Sequence, residues 1–116
     1  MFLQLKHKTL DVYLSVTELV KEVYKLSVFL PADEKFNMIQ QIRRAALSVK
    51  LNLAEGCTRR SAIERKRYLV VSRGSLVEIE AVLEVAVDLN YLKKGDLEII
   101  GKLLNKCFAM LSRMIG

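Results

Sequence analysis

Tryptophan is absent from this chain of 116 residues, histidine and proline occur once each, and cysteine twice. Each scarcity removes a class of function. The lone histidine, His7, sits in a Lys6-His7-Lys8 cluster near the N-terminus, a poor place for a catalytic base, and is read as frayed and without a role. With no second histidine, no nucleophile, base and orienting group can be assembled. Cys57 and Cys107 lack C-x-x-C spacing, are too few for a disulfide framework and are wrongly placed for zinc. They read as free thiols, one in a turn and one on a core stripe. Glycine-rich phosphate loops, H-E-x-x-H and nucleophile elbows are missing. Glu78 and Glu80 stand two apart on a helix, hence on different faces. The reading is a protein that is not an enzyme and carries neither metal nor cofactor. No apolar run approaches the roughly 18 uncharged residues that span a bilayer. The N-terminus also lacks a charged-then-apolar signal with a cleavage site, so no membrane association is expected and the location reads as cytoplasmic.

What the chain does have is apolar periodicity. Hydrophobic residues make up 52% of it, and they fall on four stripes of helical period. The first runs Val12, Val16, Leu19, Val23, Leu26, Leu30, and the second Ile39, Ile42, Ala46, Val49, Leu53. The third runs Leu69, Ser72, Leu76, Ile79, Leu83, Ala86, and the fourth Leu97, Ile100, Leu104, Cys107, Leu111, Met114. Pro31 is placed to end the first helix and Gly56 to close the second in a left-handed cap. Ser61 and Glu64 form an S-x-x-E capping box after a short turn, Cys57-Thr58-Arg59-Arg60. Asn90 to Gly95 separates the last two helices, and Asp96 is placed to cap the restart. No strand alternation or internal repeat competes. The fold expected for residues 1–116 is one all-α domain, an antiparallel up-down-up-down four-helix bundle with shallow crossing angles.

Charge is distributed unevenly. The formal net charge is +6, with a pI near 9.5, which raises the prospect of a polyanionic partner. Arg59, Arg60, Arg65, Lys66, Arg67 and Arg73 face a single carboxylate, Glu64, across the turn and the start of the third helix. Glu78, Glu80, Glu84 and Asp88 follow with no basic residue among them, so the third helix changes sign along its length. A second surplus is apolar. Leu47, Leu51 and Ala54 on the second helix and Val70, Val77, Ala81 and Val85 on the third lie off the main stripes, with Gly74 among the latter. They belong either to a wider bundle core or to subunit contacts. Gly74 suggests close approach of another backbone.

Three ordered signatures, Arg43-Arg44-Ala45, Asn52 to Gly56 and Gly74 to Glu78, carry a resemblance. The chain resembles, over roughly residues 8 to 115, the bacterial four-helix-bundle proteins encoded within intervening sequences of large-subunit ribosomal RNA genes. That family looks related to the accessory variability proteins of diversity-generating retroelements, basic pentameric barrels beside a reverse transcriptase and its RNA. The resemblance implies a homo-oligomer, a ring of five, with RNA or a protein such as a reverse transcriptase as partner. It does not imply a ribosomal subunit. Lys50-Leu51 departs from the small or proline-like residues expected before Asn52.

Two functions follow as expectations. In the first, Arg59, Arg60, Arg65, Lys66 and Arg67 capture RNA phosphates at a basic elbow, aided by the helix N-terminus, with Tyr68 placed to stack on a base. In the second, the arginines are structural, pairing with Glu78, Glu80 or Glu84 of a neighbouring subunit, and the protein is an interaction scaffold. Arg43, Arg44, Asn52, Glu55 and Glu78 read as a structural polar signature, semi-buried ion pairs that fix helix register. A helix-turn-helix reading of residues 52–69 is rejected because both helices are too long.

Overall fold

The four stripes become four helices, α1 (Asp11–Ser27), α2 (Met38–Thr58), α3 (Ala62–Asp88) and α4 (Glu98–Ile115), in a computed structural model that describes all 116 residues. Short 3-10 turns at Lys6–Thr9, Ala32–Glu34 and Lys94–Leu97 fill the approaches. Each helix packs chiefly on two neighbours in the cyclic order α1, α2, α3, α4, with α1 closing against α4. The result is an all-α four-helix bundle of 44 × 29 × 21 Å.

The periodicity explains the core. All six residues of the α3 stripe are buried, as are Val12, Val16, Leu19, Val23 and Leu30 from the first stripe. Ile42, Ala46, Val49 and Leu53 fill the α2 side, and Ile100, Leu104, Cys107 and Leu111 the α4 side. Four stripe positions loosen: Leu26, Ile39 and Leu97 are partly buried, and Met114 is exposed. Burying side chains of this size contributes roughly 1.5–3 kcal/mol each, which is why tertiary packing rather than local propensity holds these helices.

α2 and α3 share the most extensive contact, and small residues make it possible. Ala45, Ala46 and Gly56 of α2 and Ser72 and Ser75 of α3 are all buried. The Ser72 hydroxyl donates to the Val49 carbonyl at 2.7 Å, and the Ser75 hydroxyl to Ser48 Oγ at 2.8 Å. Asn52 Nδ2 in turn donates to Ser48 Oγ at 3.1 Å and to the Ser48 carbonyl at 2.9 Å. Hydroxyls buried this deeply must be paired, and pairing them across the two helices ties the seam together.

Several boundary expectations are corrected. Gly56 does not close α2 in a left-handed cap. The helix runs two residues further, and the only positive φ angles in the chain are at Asn90 and Gly116. Gly56 is needed for proximity instead: a Cβ there would meet Tyr68 Cβ at 3.0 Å and the Arg65 carbonyl at 3.4 Å. α1 stops at Ser27, four residues before Pro31, where the Ser27 hydroxyl turns back to the Tyr24 carbonyl at 2.9 Å. Pro31 opens the next 3-10 turn. Asp96 does not cap α4, whose first flanking residue is Leu97. Its carboxylate accepts from the Lys93 N–H at 3.0 Å and so closes the turn before the helix. Ser61 does cap α3, accepting from the Glu64 N–H at 3.4 Å, but no reciprocal bond from the Glu64 side chain completes the box. Cys57 lies in the last helical turn of α2 rather than in a loop.

His7 is not frayed. It is buried, with its ring edge-on to Tyr13 at a centroid distance of 4.9 Å, while Lys50 Nζ lies 5.1 Å from the centre of the same Tyr13 ring. Lys50, unexpected in sequence, therefore links α1 to α2, and Leu51 beside it is exposed.

Gly56 and Gly101 make a matched pair. Gly56→Val, which forces α2 away from Tyr68 Cβ and the Arg65 carbonyl, is expected to lower stability by about 2–3 kcal/mol. Gly101→Ala, where an added Cβ meets nothing within 4 Å, should raise it by up to about 1 kcal/mol. Urea unfolding of both variants checks the signs.

Candidate nucleic-acid interface

The elbow between α2 and α3 projects from the bundle. Every residue from Arg60 to Arg67 is exposed, and Leu69 is the first buried residue of α3. Five cations gather there, and they divide into two groups. Arg59 lies against Tyr68, with its guanidinium carbon 4.8 Å from the ring centre. Its Nη2 donates to the Tyr68 hydroxyl at 3.1 Å and to Glu55 Oε2 at 3.3 Å. The Tyr68 hydrogen bond, more than Glu55, holds its pKa above the usual arginine value. Its Nε is covered and has no partner. Arg65 reaches back over the turn, donating from Nε and Nη2 to the Arg59 carbonyl at 3.3 and 3.1 Å and from Nη2 to the Arg60 carbonyl at 3.3 Å. It thereby satisfies two carbonyls of the turn between α2 and α3. Arg60, Lys66 and Arg67 form no ion pair and no side-chain hydrogen bond. The three ion pairs of the chain are Lys21–Glu18, Lys25–Glu22 and Arg59–Glu55.

Tyr68 is half-buried and already has the Arg59 guanidinium on its ring. Arg73 does not join the elbow. Its Nη1 donates to Ser112 Oγ at 3.1 Å and its guanidinium lies 5.6 Å from the Phe108 ring centre, linking α3 to α4.

The polar signature also separates. Arg43 makes no ion pair. Its Nε donates to Ser27 Oγ at 2.8 Å and its guanidinium stacks 4.8 Å from the Tyr24 ring centre, so it holds α2 to the end of α1 by a neutral partner and an aromatic face. Arg44 is exposed and unpaired. Asn52 serves the α2–α3 seam, Glu55 bonds to Arg59, and Glu78 is exposed with no basic partner. Of the expected register-fixing ion pairs, the chain forms only Glu55–Arg59. That pair is exposed, with 39% of the Arg59 side chain and 56% of the Glu55 side chain open to solvent, and pairs of this kind contribute about 0–1 kcal/mol. Serines take the role expected of charges. Ser27, Ser48 and Ser75 were not legible as partners because a serine between apolar residues carries no sign of what it faces.

The apolar surplus is on the surface. Leu47, Leu51, Val70, Val77 and Val85 are exposed, as are Ala81 and Gly74, so these residues do not widen the core; Ala54 alone is half-buried. On α2, Leu47 and Leu51 line a shallow groove of about 670 Å³ with Phe36, Arg43 and Arg44. Phe36 and Lys35 lie beyond the helical repeat, and no periodic signal marks them as part of this surface. Burial raises the Cys57 pKa and pushes that of Cys107 up to about 11.

With no cluster of three or more metal-ligating side chains and no helix long and apolar enough to cross a membrane, the structure defines an all-α bundle protein whose polar residues serve helix contacts and surface. The chain belongs to the 23S rRNA-intervening sequence protein family, whose model matches residues 8–113. No curated protein matches it. A crystal structure from Bacteroides thetaiotaomicron, of a protein with unknown function from the S23 ribosomal protein family, is 24% identical. It superposes with a TM-score of 0.81 over 90% of this chain and 97% of its own.

Burial first, and Lys8 second, hold the His7 pKa below its usual 6.5. The unfolded chain therefore takes up the proton before the folded one, and stability is lost as pH falls below that value. Between pH 7.5 and 5, the wild type should lose more stability than His7→Phe, measured by thermal unfolding at each pH.

Proposed function

We propose that this protein is a non-enzymatic, homo-oligomeric scaffold that binds RNA through the α2–α3 elbow. Its helices run antiparallel in up-down-up-down order, and copies assemble as a ring, five in number by the family kinship, in the cytoplasm. Arg60, Lys66 and Arg67 make the phosphate contacts. Arg59 and Arg65 add charge from fixed positions, one held on Tyr68 and the other over the turn.

The observation that carries this reading is a trio of exposed, unpaired cations in the turn before α3 and its first turns, in a segment exposed at every residue from Arg60 to Arg67. Backbone N–H groups at a helix N-terminus add partial positive charge there. In a ring the elbow recurs once per copy, so a weak single contact is multiplied. A second reading rests on the exposed apolar faces of α2 and α3: a protein-interaction scaffold, such as an accessory subunit of a reverse transcriptase, with structural arginines.

Fluorescence anisotropy across a salt series separates the two. Single-stranded RNA should bind the wild type with an affinity that falls steeply as salt rises. Arg60→Gln/Lys66→Gln/Arg67→Gln should bind at least about tenfold more weakly, and its log–log salt slope should be shallower by about 0.7 for each phosphate it no longer neutralises. Absence of binding at low salt would leave the scaffold reading in place.

A further inference from the structure

We infer that the outer face of α2 is a socket for the outer face of α3 on a second copy of this chain. The inference rests on the assembly reading above and names the two surfaces that would meet.

Two apolar stripes lie opposite the core on neighbouring helices, and neither is covered within the chain. On α2 the apolar residues are Leu47 and Leu51, with Gln40 and Arg44 on the same face, and all four line a groove that also holds Lys35 and Phe36. Leu51 is 59% exposed and Phe36 83% exposed. The groove residues include three cations, Lys35, Arg43 and Arg44, and no carboxylate. On α3 the opposing stripe runs Val70, Gly74, Val77, Ala81, Val85, with the last three positions flanked by Glu78, Glu84 and Asp88. None of these carboxylates forms an ion pair within the chain.

The surfaces therefore match in shape and in charge. One is concave, with large side chains at its wall. The other is a helix face of valine with glycine and alanine at its centre, where an added Cβ on Gly74 meets nothing within 4 Å. A glycine in an exposed helix interior costs up to about 1 kcal/mol against alanine, and close approach by another helix gives it a use. Apolar meets apolar, and the cations of the groove are opposite in sign to the carboxylates beside Val77, Ala81 and Val85. Because socket and ridge are different surfaces, the contact is head-to-tail. Each copy gives one face and receives the other, the geometry that closes into a ring or propagates.

Blocking each face separately tests this. Arg44→Glu/Leu51→Glu closes the socket and Val77→Arg/Ala81→Arg closes the ridge. All four positions are exposed, and circular dichroism confirms that the helices remain. By sedimentation velocity over a concentration series, the wild type should run as a multimer and each variant as a monomer. An equimolar mixture of the two variants should form a one-to-one dimer, since each keeps the face that the other has blocked. Either variant assembling like the wild type overturns the pairing while leaving the assembly reading standing. Monomeric variants that fail to pair when mixed overturn the head-to-tail contact. A wild type that is monomeric throughout overturns the assembly reading and this inference together.

Discussion

How closely α3 can approach α2 governs most of what the bundle presents. At Gly56 the two helices come near enough that even one added carbon would press on Tyr68 Cβ. Further along, Ser72 and Ser75 replace large apolar side chains and direct their hydroxyls at α2. The seam is thus narrow and polar at intervals, in a core otherwise filled by leucine, isoleucine and valine. The elbow inherits its geometry from this contact. Tyr68 stands where Gly56 allows it, Arg59 lies on Tyr68, and the turn carbonyls come within reach of Arg65. A packing constraint between two helices therefore decides which guanidinium groups face inward and which face water.

α3 is apolar on two opposite sides, an arrangement with a cost. A surface helix lowers its free energy by placing one stripe inward and polar residues outward. α3 instead leaves valines at about half exposure beside unpaired carboxylates. Local stability does not explain that choice. The basic start and the acidic remainder of the same helix make the surface directional, so neighbouring molecules meet it differently at its two ends.

The helices and most of the core were legible because a buried stripe repeats at a period that one sequence displays. The α3 stripe from Leu69 to Ala86 is buried at all six positions. Other features were not legible, for physical reasons. Glycine announces permissiveness but not its use, and Gly56 serves proximity where a left-handed cap was expected. His7 between two lysines reads as solvated, yet Tyr13 supplies a ring to pack on, and that partner is fixed only by tertiary folding. Arginine next to arginine suggested ion pairs, but Arg43 finds a serine hydroxyl and a tyrosine face instead. At the elbow the cluster of cations was plain from sequence. Its division into tethered and untethered members depended on where Tyr68 and the turn carbonyls came to lie.

The order of contacts around the bundle also bears on how the chain assembles itself. α2 and α3 are separated by three residues and share the largest contact, whereas α1 and α4, which also touch, lie at opposite ends of the chain. Closing a short loop costs little entropy and closing a long one more. The entropy of loop closure therefore weighs least on the α2–α3 contact and most on the seam between α1 and α4. The surface that carries the arginines thus rests on the pair of helices whose joining constrains the chain least.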